Sequence, residues 1–166
     1  EVTANAAHEA IVRLQQKMGD RLTVVTQNVD DLHERAGSKN VIHLHGELYK
    51  VCTEDKSEVL KWKDDLNIGD VTNIGSQLRP YIVWFGEDVP MMDKAIEIVS
   101  QADIIIVVGT SLQVYPAAGL IHYAEKADQK FIVDPHCDEY AVPAGFEKLS
   151  LKATTGMRKI KETLLS

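Results

Sequence analysis

The strongest constraint on the fold is the run Ile104-Ile105-Ile106-Val107-Val108, five consecutive β-branched residues followed at once by Gly109-Thr110-Ser111. Branching at Cβ favours an extended backbone, and a strand that is apolar on both faces needs cover on both sides. Helices on either face of a parallel sheet supply that cover. The downstream pattern agrees: 81–85 reads as a strand, 90–101 as a helix, 103–110 as a strand, 117–127 as a helix and 130–133 as a strand. A last strand around 149–151 leads into a helix on which Met157, Ile160 and Leu164 make one apolar face.

Upstream, Thr3 and Asn5 are suited to capping, Ala7, Ile11, Leu14 and Met18 recur at helical spacing, and Gly19 follows as a stop. Residues 21–29 read as a strand, 30–40 as a polar loop and 41–46 as a short strand before a hairpin-like stretch from Glu47. Residues 53–78 mix charges with single apolar side chains and read as an excursion from the main fold. The expected architecture is α/β, a doubly wound Rossmann-like parallel sheet formed by 1–46 and 79–166. A small inserted module at 47–78 interrupts it.

A chain of 166 residues fits one domain, large enough to bury roughly 70% of its unfolded surface. With 18 basic against 25 acidic side chains, the net charge of −7 speaks against a binder of nucleic-acid backbones and for a basic protein or tail as partner. Cys52 and Cys137 make no disulfide framework, so a reducing compartment, the cytoplasm, is expected. The longest apolar run is far short of a bilayer span, and neither a membrane partner nor a signal peptide is expected. No coiled-coil repeat stands out, and the expectation is a monomer.

In such sheets ligands bind beyond the carboxyl ends of the strands. Three of those ends carry polar residues. Thr26-Gln27-Asn28-Val29-Asp30 can hydrogen-bond sugar hydroxyls or a carboxamide, or can simply open a loop with an Asx turn. In His43-Leu44-His45-Gly46 the period-two geometry puts both imidazoles on one face. They read as a zinc pair with no third ligand evident nearby, as a single histidine base, or as structural histidines. Gly46 would permit close approach of a ligand. Gly109-Thr110-Ser111 offers backbone N–H groups and two hydroxyls for phosphate or ribose. No G-x-G-x-x-G follows any strand, and the residues by themselves go as far as a nucleotide-binding α/β domain.

Taken in order, Thr26-Gln27-Asn28-Val29-Asp30, Ile42-His43-Leu44-His45-Gly46, Val83-Trp84-Phe85-Gly86-Glu87 and Gly109-Thr110-Ser111-Leu112 resemble the sirtuin motif series. The likeness runs from about Asn5, through Glu34-Arg35-Ala36-Gly37-Ser38 and Tyr115-Pro116-Ala117-Ala118, to the terminal helix. It implies an NAD-dependent protein-lysine deacylase, which consumes NAD as co-substrate. The products would be nicotinamide, O-acyl-ADP-ribose and free lysine, and the partners acylated lysine-containing proteins or peptides.

The resemblance also assigns roles. His45 would be the catalytic base, helped by Asn28, which orders the site. Gln27 would contact the nicotinamide ribose and Asp30 the nicotinamide carboxamide. Gly109, Thr110 and Ser111 would lie on ribose and phosphate, with Asp134 at the adenosine ribose where asparagine is usual. An extended acyl-lysine segment would lie as a strand between Phe85-Gly86-Glu87 and Leu112-Gln113-Val114. Val83, Trp84 and Phe85 would line the acyl-lysine tunnel.

Several departures bear on this. The family's N-terminal strand and Gly-Ala-Gly loop, which bind the NAD diphosphate, have no counterpart in the sequence. A truncated or inactive NAD- and peptide-binding module is therefore the first alternative, and a protein ADP-ribosyltransferase the second. Asp31 replaces a glycine, so its backbone must avoid a positive φ or bear a small strain. His43 replaces a glutamate and, if protonated, would repel a proton on His45. Cys52 is the one cysteine where the family carries two Cys-x-x-Cys pairs, so no zinc is expected. The module would then be held by Val59, Leu60, Trp62 and Leu66.

Overall fold

The computed structural model describes residues 2–165. Helix α1, Ala6–Met18, starts where Asn5 Oδ1 accepts the Ala7 N–H at 2.9 Å and His8 Nδ1 accepts the Asn5 N–H at 3.2 Å. Together the two bonds satisfy a pair of N–H groups that a helix start leaves unpaired. The helix ends at Gly19, whose φ of 63° suits glycine. Strand β1 is Val24–Thr26 and strand β2 is Val41–His43. Between them, where a loop is expected, lies helix α2, Leu32–Ala36, closed by Gly37 in the left-handed conformation.

The parallel strands fall into two ladders. One pairs β1 with β2, Thr26 opposite His43. The other has the order β6-β7-β8, with β6 at Ile104–Val108, β7 at Gln129–Val133 and β8 at Phe146–Leu149. Helix α3 is Met92–Ser100, helix α4 is Ala153–Leu165, and Ala117–Tyr123 is 3-10 rather than the expected α-helix.

Cover on both faces, inferred from the all-apolar β6, is what the packing shows. On one side Ala7, Ala10 and Leu14 of α1 and Met157 and Ile160 of α4 pack with Phe131, Ile104, Ile106 and Val108. On the other, Ala95 and Val99 of α3 and Ala117 and Leu120 pack with Ile42, Val25 and Ile105. Helix α4 lies so close to β7 that a Cβ on Gly156 would sit 2.3 Å from the Val133 side chain, which fixes glycine there.

The segment expected to be a module of 47–78 lies in an antiparallel sheet of order β4-β3-β5, with β3 at Gly46–Cys52, β4 at Val59–Lys61 and β5 at Arg79–Ile82, so the sheet also takes in Gly46 and 79–82, and the strand expected at 81–85 is antiparallel. The core expected for it is not the observed one. Val59 is exposed and Leu60, Trp62 and Leu66 are half-buried, whereas Val51, Cys52, Thr53, Thr72 and Leu78 are buried. In the pairing of β3 with β5, Val51 opposes Pro80 and Cys52 opposes Arg79.

Candidate functional site

Strands β1 and β6 each have a single paired neighbour. Both line one cavity of about 510 Å³ between the two parallel ladders, whose lining is mostly apolar and includes Leu14, Val99, Leu120 and Met157 of the flanking helices as well as 23–28 and 104–110. The cleft brings together Gln27, Asn28, Gly109, Thr110 and Leu112, while Asp30, His45, Ser111 and Asp134 lie outside its lining.

His45 is nonetheless tied to the cleft wall. Its Nδ1 lies 3.1 Å from the Gln27 carbonyl oxygen, and its own carbonyl accepts the Val83 N–H at 2.9 Å. A carbonyl only accepts, so Nδ1 carries the hydrogen and Nε2 keeps the lone pair. The basic atom of the neutral ring is thereby Nε2.

His43 reaches the same segment, with Nδ1 at 3.0 Å from the Asn28 carbonyl and Nε2 at 2.9 Å from Glu34 Oε1. Asn28 is also held at its N–H, which donates to Thr26 Oγ1 at 3.1 Å. Asp30 accepts the Leu32 N–H at 3.0 Å, an Asx turn that opens α2. Asp31, where positive φ was the concern, has a φ of −102° and needs no strain.

Gly46 has a different cause from the one expected. Its φ is 88°, and an added Cβ would stand 1.9 Å from the Tyr81 carbonyl oxygen. The close approach is to β5, not to a ligand.

On the second wall Gly109 takes a φ of 63° and its N–H donates to the Val133 carbonyl at 2.9 Å. That N–H is therefore not available to a phosphate, contrary to the expectation for this turn. Thr110 Oγ1 accepts the Leu112 N–H at 3.1 Å, and the Thr110 carbonyl accepts the Tyr140 hydroxyl at 2.7 Å. Burial pushes the Tyr140 phenol up to about 12, so it stays a donor. Asp134 follows β7 and accepts the His136 N–H at 2.8 Å.

The Trp-Phe-Gly-Glu segment is an exposed turn rather than the end of a strand, since β5 stops at Ile82. Phe85 is 99% and Trp84 58% exposed, which excludes a buried strand as their reason for being apolar. Across the chain Val114 and Tyr115 are exposed too. Neither Phe85 nor Gln113 has a main-chain hydrogen-bond partner among the described residues.

Glu87 does not face outward from this turn. Its carboxylate meets Arg79 Nη2 at 2.8 Å, Lys56 Nζ at 3.0 Å and the Trp84 N–H at 3.3 Å. The Arg79 and Lys56 bonds, in that order, hold its carboxyl down to about 2. Glu34, Lys56, Arg79 and Tyr140 are the partners that sequence reasoning left without a role. Each acts across many residues of chain, with no local pattern to announce it.

A two-faced parallel α/β scaffold with polar turns beyond β1 and β6 and a histidine of fixed tautomer defines a cleft-type ligand-binding protein. The chain belongs to the Sir2 family, whose model matches residues 1–116. It is 45% identical over 166 residues to an NAD-dependent protein deacylase of Helicobacter pylori, covering 99% of this chain and 72% of the relative. A protein of the same description from Bacteroides thetaiotaomicron is 41% identical over 172 residues, covering 99% and 73%. Among solved structures, a Sir2 homologue in complex with NAD superposes with a TM-score of 0.80 at 35% identity, covering 98% of this chain and 65% of that one. A Sir2 structure with p53 peptide and NAD+ gives 0.76 at 30% identity, covering 99% and 72%.

Proposed function

We propose that this chain carries the acyl-lysine and nicotinamide-ribose side of an NAD-dependent protein-lysine deacylase. It transfers the acyl group from lysine to ADP-ribose and releases nicotinamide. The observation that carries this reading is the Gln27 carbonyl on His45 Nδ1, which leaves Nε2 free to take a proton. The named deacylase relatives at 45% and 41% identity support the activity.

NAD supplies the acceptor for the acyl group when bound. Gln27, Asn28 and Asp30 form the nicotinamide-ribose end, and Thr110, Ser111 and Asp134 the rest of the nucleotide surface. Gly109 serves there by its turn geometry. An acylated peptide adds as a strand between Phe85-Gly86-Glu87 and Leu112-Gln113-Val114, with Val83 and Trp84 beside the acyl chain. The unpaired main chain of Phe85 and Gln113 supports that docking. Glu87 contributes by locking the turn.

The division into a core of 1–46 with 79–166 and a module of 47–78 belongs to the same reading. So does a zinc-free module, since Cys52 is the one thiol in that interval. No helix among the described residues is long and apolar enough to cross a membrane. A cytoplasmic monomer completes the reading, and the net charge of −7 accords with the absence of a nucleic-acid partner.

Mass spectrometry of an acylated peptide incubated with NAD and the protein is the test. Loss of the acyl mass with nicotinamide release supports the deacylase. An added ADP-ribose on the protein would instead mark a transferase, and no reaction an inactive binding module.

A further inference from the structure

We propose that Lys56 is a positioning residue for the substrate turn: the loop 53–58 is built to aim its ammonium at Glu87, whose carboxylate passes that hold to the Trp84 main chain. The inference rests on the reading of 84–87 as the turn that receives the acylated peptide.

Lys56 has a φ of 57°, one of two positive values at non-glycine residues among those described. The other is at Leu112, in the segment read as the opposite edge of the peptide site. A lysine does not favour this conformation as asparagine or aspartate can, so the surrounding loop has to impose it. Asp55 Oδ1 accepts the Thr53 hydroxyl at 2.6 Å, the Ser57 hydroxyl at 2.8 Å and the Ser57 N–H at 3.1 Å. Thr53 Oγ1 accepts the Glu58 N–H at 3.2 Å. The Lys56 N–H donates to the Thr53 carbonyl at 2.9 Å, and the Thr53 N–H donates to the Glu58 carbonyl at 3.1 Å. The Lys56 side chain adds nothing to this network and points out of the loop instead.

Its target lies 31 residues further along the chain. Lys56 Nζ donates to Glu87 Oε2 at 3.0 Å, and among the described residues this is the one hydrogen bond or ion pair that joins 53–58 to 84–90. Arg79, already fixed in β5, meets Glu87 Oε1 at 2.8 Å and Oε2 at 3.1 Å. The Trp84 N–H donates to Oε2, the oxygen that Lys56 holds, and the Trp84 carbonyl accepts the Glu87 N–H at 3.0 Å. Trp84 is thus tied at both ends of its main chain, one residue before the unpaired main chain of Phe85. A part-exposed ion pair contributes little to global stability, so stability alone is a poor reason for a lysine in a strained loop. Aiming a charge at a turn that must keep its shape is a better one.

Steady-state kinetics with an acylated peptide at saturating NAD, together with amide hydrogen exchange of the free protein, test this on the full chain. Lys56→Gly accommodates the positive φ and removes only the ammonium. It should raise the peptide KM roughly fivefold with kcat and melting temperature near wild type. Its Trp84 amide should exchange about fivefold faster while the β3 amides keep their rates. Asp55→Ala, which touches nothing in 84–87, should move both quantities the same way by a smaller factor, and Lys56→Arg should restore them. An unchanged KM or Trp84 exchange rate in Lys56→Gly would overturn the proposal. So would faster exchange spread over β3, which would mark Lys56 as a prop for the sheet. Failure of the deacylase reading shows separately, as a wild-type protein that leaves the peptide acylated; the exchange of Trp84, which needs no substrate, then decides whether Lys56 positions the turn.

Discussion

The two walls of the cleft are built on different principles. On the β1 side, side chains hold the main chain: His45 on the Gln27 carbonyl, His43 on the Asn28 carbonyl, Thr26 on the Asn28 N–H and Asp30 on the Leu32 N–H. On the β6 side the main chain itself makes the shape, through positive φ at Gly109 and Leu112, and is clipped from outside by Tyr140. The first wall fixes rings and amides whose orientation matters for moving a proton. The second is the turn that the proposed function gives to the nucleotide and the peptide backbone. Catalysis and binding should therefore separate in mutants of the two walls.

The largest expected effect is on the first wall. His45→Ala should lower the turnover number by about 10²- to 10⁴-fold, the range for losing a positioned base. Far-UV circular dichroism and the melting temperature should stay near wild type, because the ring makes one side-chain bond.

Gly46→Ala tests the scaffold under that wall rather than its chemistry. A Cβ 1.9 Å from the Tyr81 carbonyl at a φ of 88° forces β3 from β5. We expect a loss of about 3 kcal/mol or more in urea unfolding, or failure to accumulate folded protein.

On the second wall, Tyr140→Phe removes the hydroxyl that donates to Thr110. The expected loss is about 1 kcal/mol of stability, with a raised KM for NAD and little change in kcat. An equal fall in kcat would show that the two walls do not divide the work.

The smallest effect concerns the substrate turn. Glu87 has a folded value of about 2 against an ordinary 4.5, so the clasp with Arg79 and Lys56 is fully present above about pH 4.5 and is lost as pH falls through about 2. Wild-type KM for an acylated peptide should show no Glu87-linked change across the neutral range. Glu87→Gln should raise it severalfold, measured by steady-state kinetics at a series of pH values.

Much of this was legible beforehand, for identifiable reasons. The apolar run 104–108 announced a sheet covered on two faces because only that environment hides both sides of a strand. Of the motif residues, Gln27, Asn28, Gly109, Thr110 and Leu112 line the cleft, and Asp30, His45 and Ser111 do not. Helix α2 escaped because five residues with Leu32 and Ala36 as their apolar positions carry no periodic signal. The module core escaped because alternation cannot say which face of β3 turns inward, and Val51 with Leu78 rather than Val59 with Trp62 took the interior. The ties to Glu34 and Tyr140 link distant parts of the chain, and no local spacing encodes them.

The central claim is that both walls serve one ligand assembly, and amide chemical-shift perturbation of the 15N-labelled full chain tests it most directly. On joint titration with NAD and an acylated peptide, Gln27, Asn28, His45 and 109–114 should shift together with a common saturation curve. Shifts confined to one wall, or two unrelated curves, would contradict it.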